Sequence, residues 1–320
     1  IFGKQVKFLS SDPANEAEGQ IWYNSTSGTF KSVVLAEATS SADAITTGRY
    51  AIGSAGTLTA GLATGGDLFP ASPRASNATE EFNGTSWTNG NPIGTARAWL
   101  ASCGTQTAAI GSGGNLQTPS GITTATEEYD GTTWTGGTAI PNSTEAGNQF
   151  GIQTASIFIF GGVPPATPNY PNVAYTQTGG AWTAIPSLNN AQWYGAVTNG
   201  TTTAGIAVGG GHPVLAHVEE WNGSAWTNST AFPETTYNNA GNSCGTSTAM
   251  AVAGGTPGTQ ITIWDGSTWA ISPASLATSR AGRPASAGTS TAFYVAGGPP
   301  ALTACEEFSA SPAVQTITTS

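Results

Sequence analysis

Charge is what this sequence most lacks. Asp, Glu, Lys and Arg make up 8% of its 320 residues, against roughly a quarter in ordinary soluble domains. Only eight are Lys or Arg, and the net charge is −10. Nucleic acid and anionic membranes both demand a basic surface, so neither is an expected partner. Two histidines are equally limiting. His212 and His217 lie five apart with no adjacent Cys or Asp, a poor zinc signature, so no metal and no other cofactor is expected. There is no Gly-x-Ser-x-Gly elbow, and any Ser-His-Asp triad would have to draw on those two histidines. No apolar run approaches the roughly 18–20 residues of a membrane span, so membrane insertion is not expected. The opening IFGKQVKFLS has neither a secretory h-region nor a starting Met, and the expectation is a chain processed or incomplete at that end.

What replaces charge is glycine, 43 residues of it, together with Ser, Thr, Ala and ten Trp. A Gly-Gly pair closes an apolar run six times, at Gly65-Gly66, Gly113-Gly114, Gly161-Gly162, Gly209-Gly210, Gly254-Gly255 and Gly297-Gly298. The second glycines are 48, 48, 48, 45 and 43 residues apart. Between the pairs runs a second signature, EEFNGTSW (Glu80–Trp87), EEYDGTTW (Glu127–Trp134), EEWNGSAW (Glu219–Trp226) and TIWDGSTW (Thr262–Trp269), with a looser AYTQTGGAW ending at Trp182. The last unit has EEFSAS (Glu306–Ser311) and no Trp. Each unit reads as four strands: a short one after Arg49, Arg97 or Arg280, one ending in Gly-Gly, one carrying Glu-Glu-aromatic, and one opening with Trp. Asn-Gly and Asp-Gly between the last two favour the positive φ of two-residue hairpins. No segment sustains helical periodicity. Four-stranded units of this length are blade-sized, and the predicted fold is all-β, a six-bladed β-propeller over 46–320.

Physical roles follow from the pattern. Trp87, Trp134, Trp182, Trp226 and Trp269 are expected to fill the wedges between blades. Glu-Glu and Arg co-occur in blades one, two and six, which predicts in-blade ion pairs because buried charges need partners. These are Arg49 with Glu80 or Glu81, Arg97 with Glu127 or Glu128, and Arg280 with Glu306 or Glu307. Their repetition marks the glutamates as structural and not as catalytic acids; no catalytic residue is assigned and no enzyme activity is expected. Cys103 and Cys244 belong to blades that face each other across a ring, too far apart for a disulfide, and with Cys305 they read as buried thiols.

The length difference between repeats points to a recognition face. From Trp to the next second Gly the count is nearly constant, 27 to 29, whereas from second Gly to Trp it falls from 21 to 14. The variable loops are therefore those between strands two and three, and the long ones are 67–78, 115–126 and 163–172. Their apolar and aromatic points, Leu68, Phe69, Leu116, Ile122 and Tyr170, together with His212, are the candidate ligand- or partner-binding residues.

Residues 1–45 form a separate segment, a hairpin of Ile21–Asn24 and Thr29–Val34 followed by a Ser/Ala/Thr linker at 37–47. Two roles are open. It closes or augments the ring, or it anchors the propeller to something else. The anchor is favoured because Val314–Thr318 already supplies a fourth strand for blade six.

The order of Arg, Gly-Gly, aromatic-Asx and Trp resembles the kelch repeat from about residue 46 to 318, with Arg missing from blades three to five. The opening VKFLSSDPANEAEGQIWYNSTSGTFK, followed by EE-aromatic-NGTSWT units, resembles virion structural proteins of marine tailed bacteriophages. That resemblance implies a tail-fibre, appendage or capsid-decoration protein at the extracellular virion surface. Other virion proteins would hold the N-terminal segment, the propeller would meet a host-surface glycan or protein, and a homo-oligomer is compatible. The competing reading is a secreted carbohydrate-binding or carbohydrate-active propeller, or a bacterial surface appendage protein. Convergent carboxylates in a deep axial pocket would favour an enzyme; a neutral, loop-lined face would favour binding.

Overall fold

The computed structural model describes residues 6–14, 18–118, 121–162, 172–190, 197–210, 216–233, 244–255 and 258–317. Among these there are twenty-six strands and no helix. Three strands precede the repeats, β1 (Lys7–Leu9), β2 (Ile21–Asn24) and β3 (Thr29–Ala42). Sheet one is β4 (Gly53–Thr57), β5 (Ala60–Thr64), β6 (Thr79–Phe82) and β7 (Trp87–Gly90). Sheet two is β8 (Ala101–Thr105), β9 (Ala108–Ser112), β10 (Thr126–Tyr129) and β11 (Trp134–Gly136). Sheet three is β12 (Asn148–Ile152), β13 (Ala155–Ile159), β14 (Ala174–Thr178) and β15 (Ala181–Ile185). Sheet four is β16 (Val197–Thr201), β17 (Ala204–Val208), β18 (Val218–Trp221) and β19 (Trp226–Asn228). Sheet five is β20 (Cys244–Thr246), β21 (Ala249–Ala253), β22 (Gln260–Trp264) and β23 (Trp269–Ser275). Sheet six holds β24 (Ala285–Gly288), β25 (Ala292–Ala296) and β26 (Cys305–Thr316), extended by β3, β2 and β1.

Each repeat is an antiparallel meander, and the first strands touch in cyclic order, β4, β8, β12, β16, β20, β24 and back to β4. The architecture is therefore β-propeller-like. Its core is divided accordingly. The described residues form six apolar clusters, and each is built from two neighbouring sheets or the connection between them. The second strands lie between neighbours on both faces, which is why they read as unbroken apolar runs without alternation. Ile157, Phe158, Ile159 and Phe160 are all buried. At about 25 cal/mol per Å² of apolar area, burying such side chains is the main stabilisation.

Glycine has a steric role where each second strand ends. Gly65 and Gly66 have φ of +64° and +120°, and a Cβ on Gly65 would lie 2.5 Å from the Arg97 carbonyl oxygen of the next sheet. Only glycine accepts both demands. Gly161 is different. It has no positive φ, and a Cβ there would strike Glu145 O at 2.3 Å.

Two expectations need correction. Val314–Thr318 is not a separate fourth strand of the last unit. Residues up to Thr316 continue β26, and the outer strand is β3, paired antiparallel from Lys31↔Thr316 to Ala42↔Cys305. The stretch read as a linker from 37 is thus strand up to Ala42, and the N-terminal segment completes sheet six. Its Ala, Ser and Thr residues look linker-like because one face is solvated and the other meets small partners. The Asn-Gly and Asp-Gly hairpins before Trp are also not two-residue turns, unlike that of sheet three, where Thr178 pairs with Ala181 across Gly179 and Gly180. Phe82 pairs with Trp87 across four residues; Asn83 Oδ1 accepts N–H bonds from Thr85 (2.9 Å) and Ser86 (2.8 Å). Only Gly84 takes positive φ, +89°. The Asn caps the turn and does not itself adopt the left-handed conformation.

Candidate functional site

The repeated charges settle first. Arg49 pairs with Glu80, Arg97 with Glu127 at 3.4 Å and Arg280 with Glu306 at 2.9 Å. The partner is the first glutamate each time. All three arginines are fully buried, and the same guanidiniums cap strand carbonyls, such as Gly111 O from Arg97 at 3.2 Å. Burial pulls the Arg97 pKa down to about 10, and Glu127 opposes that shift. The glutamates do a second task that sequence reasoning missed. Each accepts two backbone N–H bonds from the loop leading into its sheet: Thr46 (2.5 Å) and Thr47 (3.4 Å) to Glu80, Gly94 (2.6 Å) and Thr95 (3.1 Å) to Glu127, and Ala277 (2.5 Å) and Thr278 (3.1 Å) to Glu306. The second glutamates sit further out. Glu81 accepts the Tyr129 hydroxyl of sheet two at 2.5 Å, while Glu128 and Glu307 are half-buried.

The five tryptophans fill the wedges between sheets. Trp87 packs on Phe82 (5.0 Å) and on Tyr294 of sheet six (5.2 Å). Trp134 stacks on Tyr129 and donates to Thr79 Oγ1 of sheet one at 3.0 Å. Trp182 donates to Thr138 O at 2.9 Å. Trp226 meets Phe150 of sheet three at 6.5 Å, and Trp269 meets Phe232 at 4.9 Å. The cysteines are free and buried; burial pushes all three thiols up to about 12, which makes them inert.

A cavity of about 240 Å³ follows the axis and touches all six sheets. Ser54, Ser102, Gln149, Thr198, Asn199 and Ser286 supply its polar groups, and among the described residues no carboxylate lines it. Among the described residues there is no group of three His, Cys, Asp or Glu placed to hold a metal ion.

The described parts of the long loops 67–78 and 115–126 lie at the other end, while 163–171 fall outside the described residues. A four-strand meander sends its strand two–three loop and its exit to the next sheet from the same end. In sheet one, Leu68 N–H donates to Arg74 O at 2.7 Å, closing a tight loop that leaves Phe69 48% exposed. In sheet two, Leu116 N–H donates to Gly121 O at 2.7 Å, and Ile122 bridges Asn115. Leu68, Leu116 and Ile122 are half-buried, so Phe69 is the one that projects. Tyr170 and His212 lie outside the described residues, and His217 is exposed.

The same end carries residues that the repeat pattern hid. Asp67 is fully buried and accepts from Tyr50 Oη at 3.0 Å, Phe69 N at 2.9 Å and Arg74 Nε at 3.1 Å. Arg74 lies over the Phe69 ring at 5.1 Å. Trp99 meets Tyr50 edge-on at 6.0 Å and holds φ +58°, a strained value for a bulky side chain. Asn115 Nδ2 donates to Glu145 of sheet three. The signal available was an aromatic out of register: Trp99 belongs to no repeated Trp position.

Six meandering sheets in cyclic contact define a β-propeller-like protein. Consistent with that, the solved structure of YjhT is similar over 86% of this chain and 99% of its own, with a TM-score of 0.63 and 13% identity. At that identity the likeness concerns fold alone. The chain matches no protein-family profile and no curated protein sequence.

Proposed function

We propose that this chain is a six-bladed, kelch-like propeller acting as a non-enzymatic structural and adhesion protein of a phage virion, docked by its N-terminal segment and displaying its loop end outward. The observation that carries the docking half is where apolar surface is left uncovered. Eight large hydrophobic side chains are exposed among the described residues, and Val6, Phe8, Ile21, Phe30 and Ile317 fall on the extension of sheet six. Beyond Ser309, β26 pairs only with β3, so β1, β2 and these strand ends stand outside the ring.

This extension is a firm body. Trp22 and Val33 are buried in it, Trp22 Nε1 and Asn24 Nδ2 donate to Asp12 Oδ1 at 3.1 and 2.8 Å, and the Phe8, Tyr23 and Phe30 rings meet in series, tilted and then edge-on, at 5.2 and 5.1 Å. A concentrated apolar patch on an ordered sheet favours a protein partner. All three lysines of the chain also fall within its first 31 residues, so this segment is electrostatically unlike the acidic ring. An axial cavity whose described lining holds no carboxylate supports binding over glycoside hydrolysis, which needs a carboxylate pair.

The test is electron microscopy of particles carrying the tagged chain, with and without residues 1–28. The proposal expects propeller density on the virion surface that disappears with the deletion. Full loading of the truncated chain, or absence of the intact chain from particles, would refute it.

A further inference from the structure

Four Asn-Gly pairs occur in the chain, Asn83-Gly84, Asn89-Gly90, Asn199-Gly200 and Asn222-Gly223, and the fold treats one of them differently. Asn83 and Asn222 cap their turns. The Oδ1 of each accepts backbone N–H bonds from the second and third residues onward, at 2.9 and 2.8 Å for Asn83 and at 3.0 and 2.9 Å for Asn222. Asn89 lies in β7, and its Oδ1 accepts the Thr46 hydroxyl at 2.9 Å. Asn199 lies in β16, and its Oδ1 accepts the N–H of the very next residue, Gly200, at 2.8 Å. Gly200 holds φ +129°, and a Cβ on it would meet Ala204 O at 2.2 Å, so glycine is obligatory there. The asparagine is not. Before the equivalent positive-φ glycines the other five sheets place Ala55, Cys103, Phe150, Cys244 and Ala287, all buried. Asn199 is half-buried and lines the axial cavity with them.

We propose that Asn199 is a site of spontaneous, backbone-assisted deamidation, a modification that places a carboxylate in the axial cavity. The Gly200 nitrogen attacks Asn199 Cγ and forms the new C–N bond of a five-membered succinimide. The Asn199 side-chain nitrogen leaves as ammonia, taking the proton that Gly200 gives up. Water then adds to either imide carbonyl and opens the ring to aspartate or isoaspartate. One water is consumed and one ammonia released, with no oxidant and no cofactor. Holding a nucleophile against its own electrophilic group favours such a step. The caps at Asn83 and Asn222 oppose it, because the side-chain oxygen there is committed to nitrogens further along the chain. This chemistry is intrinsic to the chain and independent of the virion assignment.

The test is peptide mass spectrometry of the full chain aged in mildly alkaline heavy-oxygen water, folded and in urea. In urea the four pairs escape the fold and should convert at similar rates. In the folded chain Asn199 should convert at least about tenfold faster than Asn83, Asn89 or Asn222, a barrier difference of roughly 1.4 kcal/mol. Its product should carry the heavy oxygen as a mixture of aspartate and isoaspartate. Asn199→Ala installs the residue that sheets one and six hold at this position, so the melting temperature should stay and the fast component alone should vanish. A folded chain in which Asn199 converts no faster than the other three, or fast conversion that survives Asn199→Ala, would overturn the proposal.

Discussion

In sheets one, two and six a buried arginine meets the first glutamate of the third strand. In sheet four Glu219 is equally buried but is met by amides. Asn189 and Asn190 donate to it from backbone N–H at 2.7 and 2.8 Å and from side-chain Nδ2 at 2.9 and 3.1 Å. The two solutions share the backbone N–H pair and differ in the cation. The constant task of this glutamate is therefore to hold the loop that leads into the sheet. Arginine adds a cap on the strand-end carbonyls and carries the desolvation of a buried charge with it. Sheet three shows that this cap can be neutral: the Thr144 hydroxyl donates to Gly162 O at 3.1 Å and accepts from Gly161 N–H at 3.2 Å.

The comparison predicts a graded series. Arg97→Ala strands the Glu127 carboxylate in a buried site and should cost about 3–5 kcal/mol in urea denaturation; a loss no larger than that of a surface substitution would show that the cation is dispensable in sheet two as it is in sheet four. Asn190→Ala removes one side-chain donor and leaves the backbone N–H in place, so about 1 kcal/mol is expected by the same measurement. A cost matching Arg97→Ala would erase the distinction between the two kinds of sheet.

The smallest effect contrasts the turns. Asp265 accepts from Thr268 N–H (2.7 Å), Ser267 N–H (2.8 Å) and both hydroxyls, and these bonds hold its carboxyl well below the usual range. Asn83 and Asn222 cap the equivalent turns without a titrating group. With a folded value below the unfolded one, the contribution of Asp265 is complete above about pH 4 and is lost as pH falls through the folded value. Asp265→Asn should flatten the melting temperature between pH 4 and 2 relative to the parent chain. Parallel curves would mean that the turn contributes nothing pH-dependent.

Much of this was legible because the ring repeats its obligations. Six strand-end Gly-Gly pairs, five tryptophans and three Arg–Glu sets each recur at one structural position, so packing necessity shows as periodicity. The expected hairpin of Ile21–Asn24 with Thr29–Val34 is present, but the continuation of β3 to Ala42 and its pairing with β26 were hidden for the opposite reason. Its partner β26 is far away in sequence, and Glu37–Ala42 carries too little apolar character to announce a strand. The Asp67–Arg74 pair was hidden because it occurs once, and a search for what the repeats share passes over what one repeat has alone. The Glu219–Asn pair escaped because an amide does the work where a charge was sought.

The central claim is that the sixth sheet is completed from the N-terminus, by the part of β3 facing Cys305–Ser309, while everything before it serves as the extension. Thermal unfolding of two truncations tests this directly. Removing residues 1–28 spares β3, and the cooperative transition should stay near that of the full chain. Removing residues 1–43 takes away β3 and the Asp43 carboxylate that accepts the Trp87 N–H at 3.1 Å, opening sheet six beside sheet one; the transition should fall steeply or lose cooperativity. Two truncations that melt alike, at the temperature of the intact chain, would contradict the account.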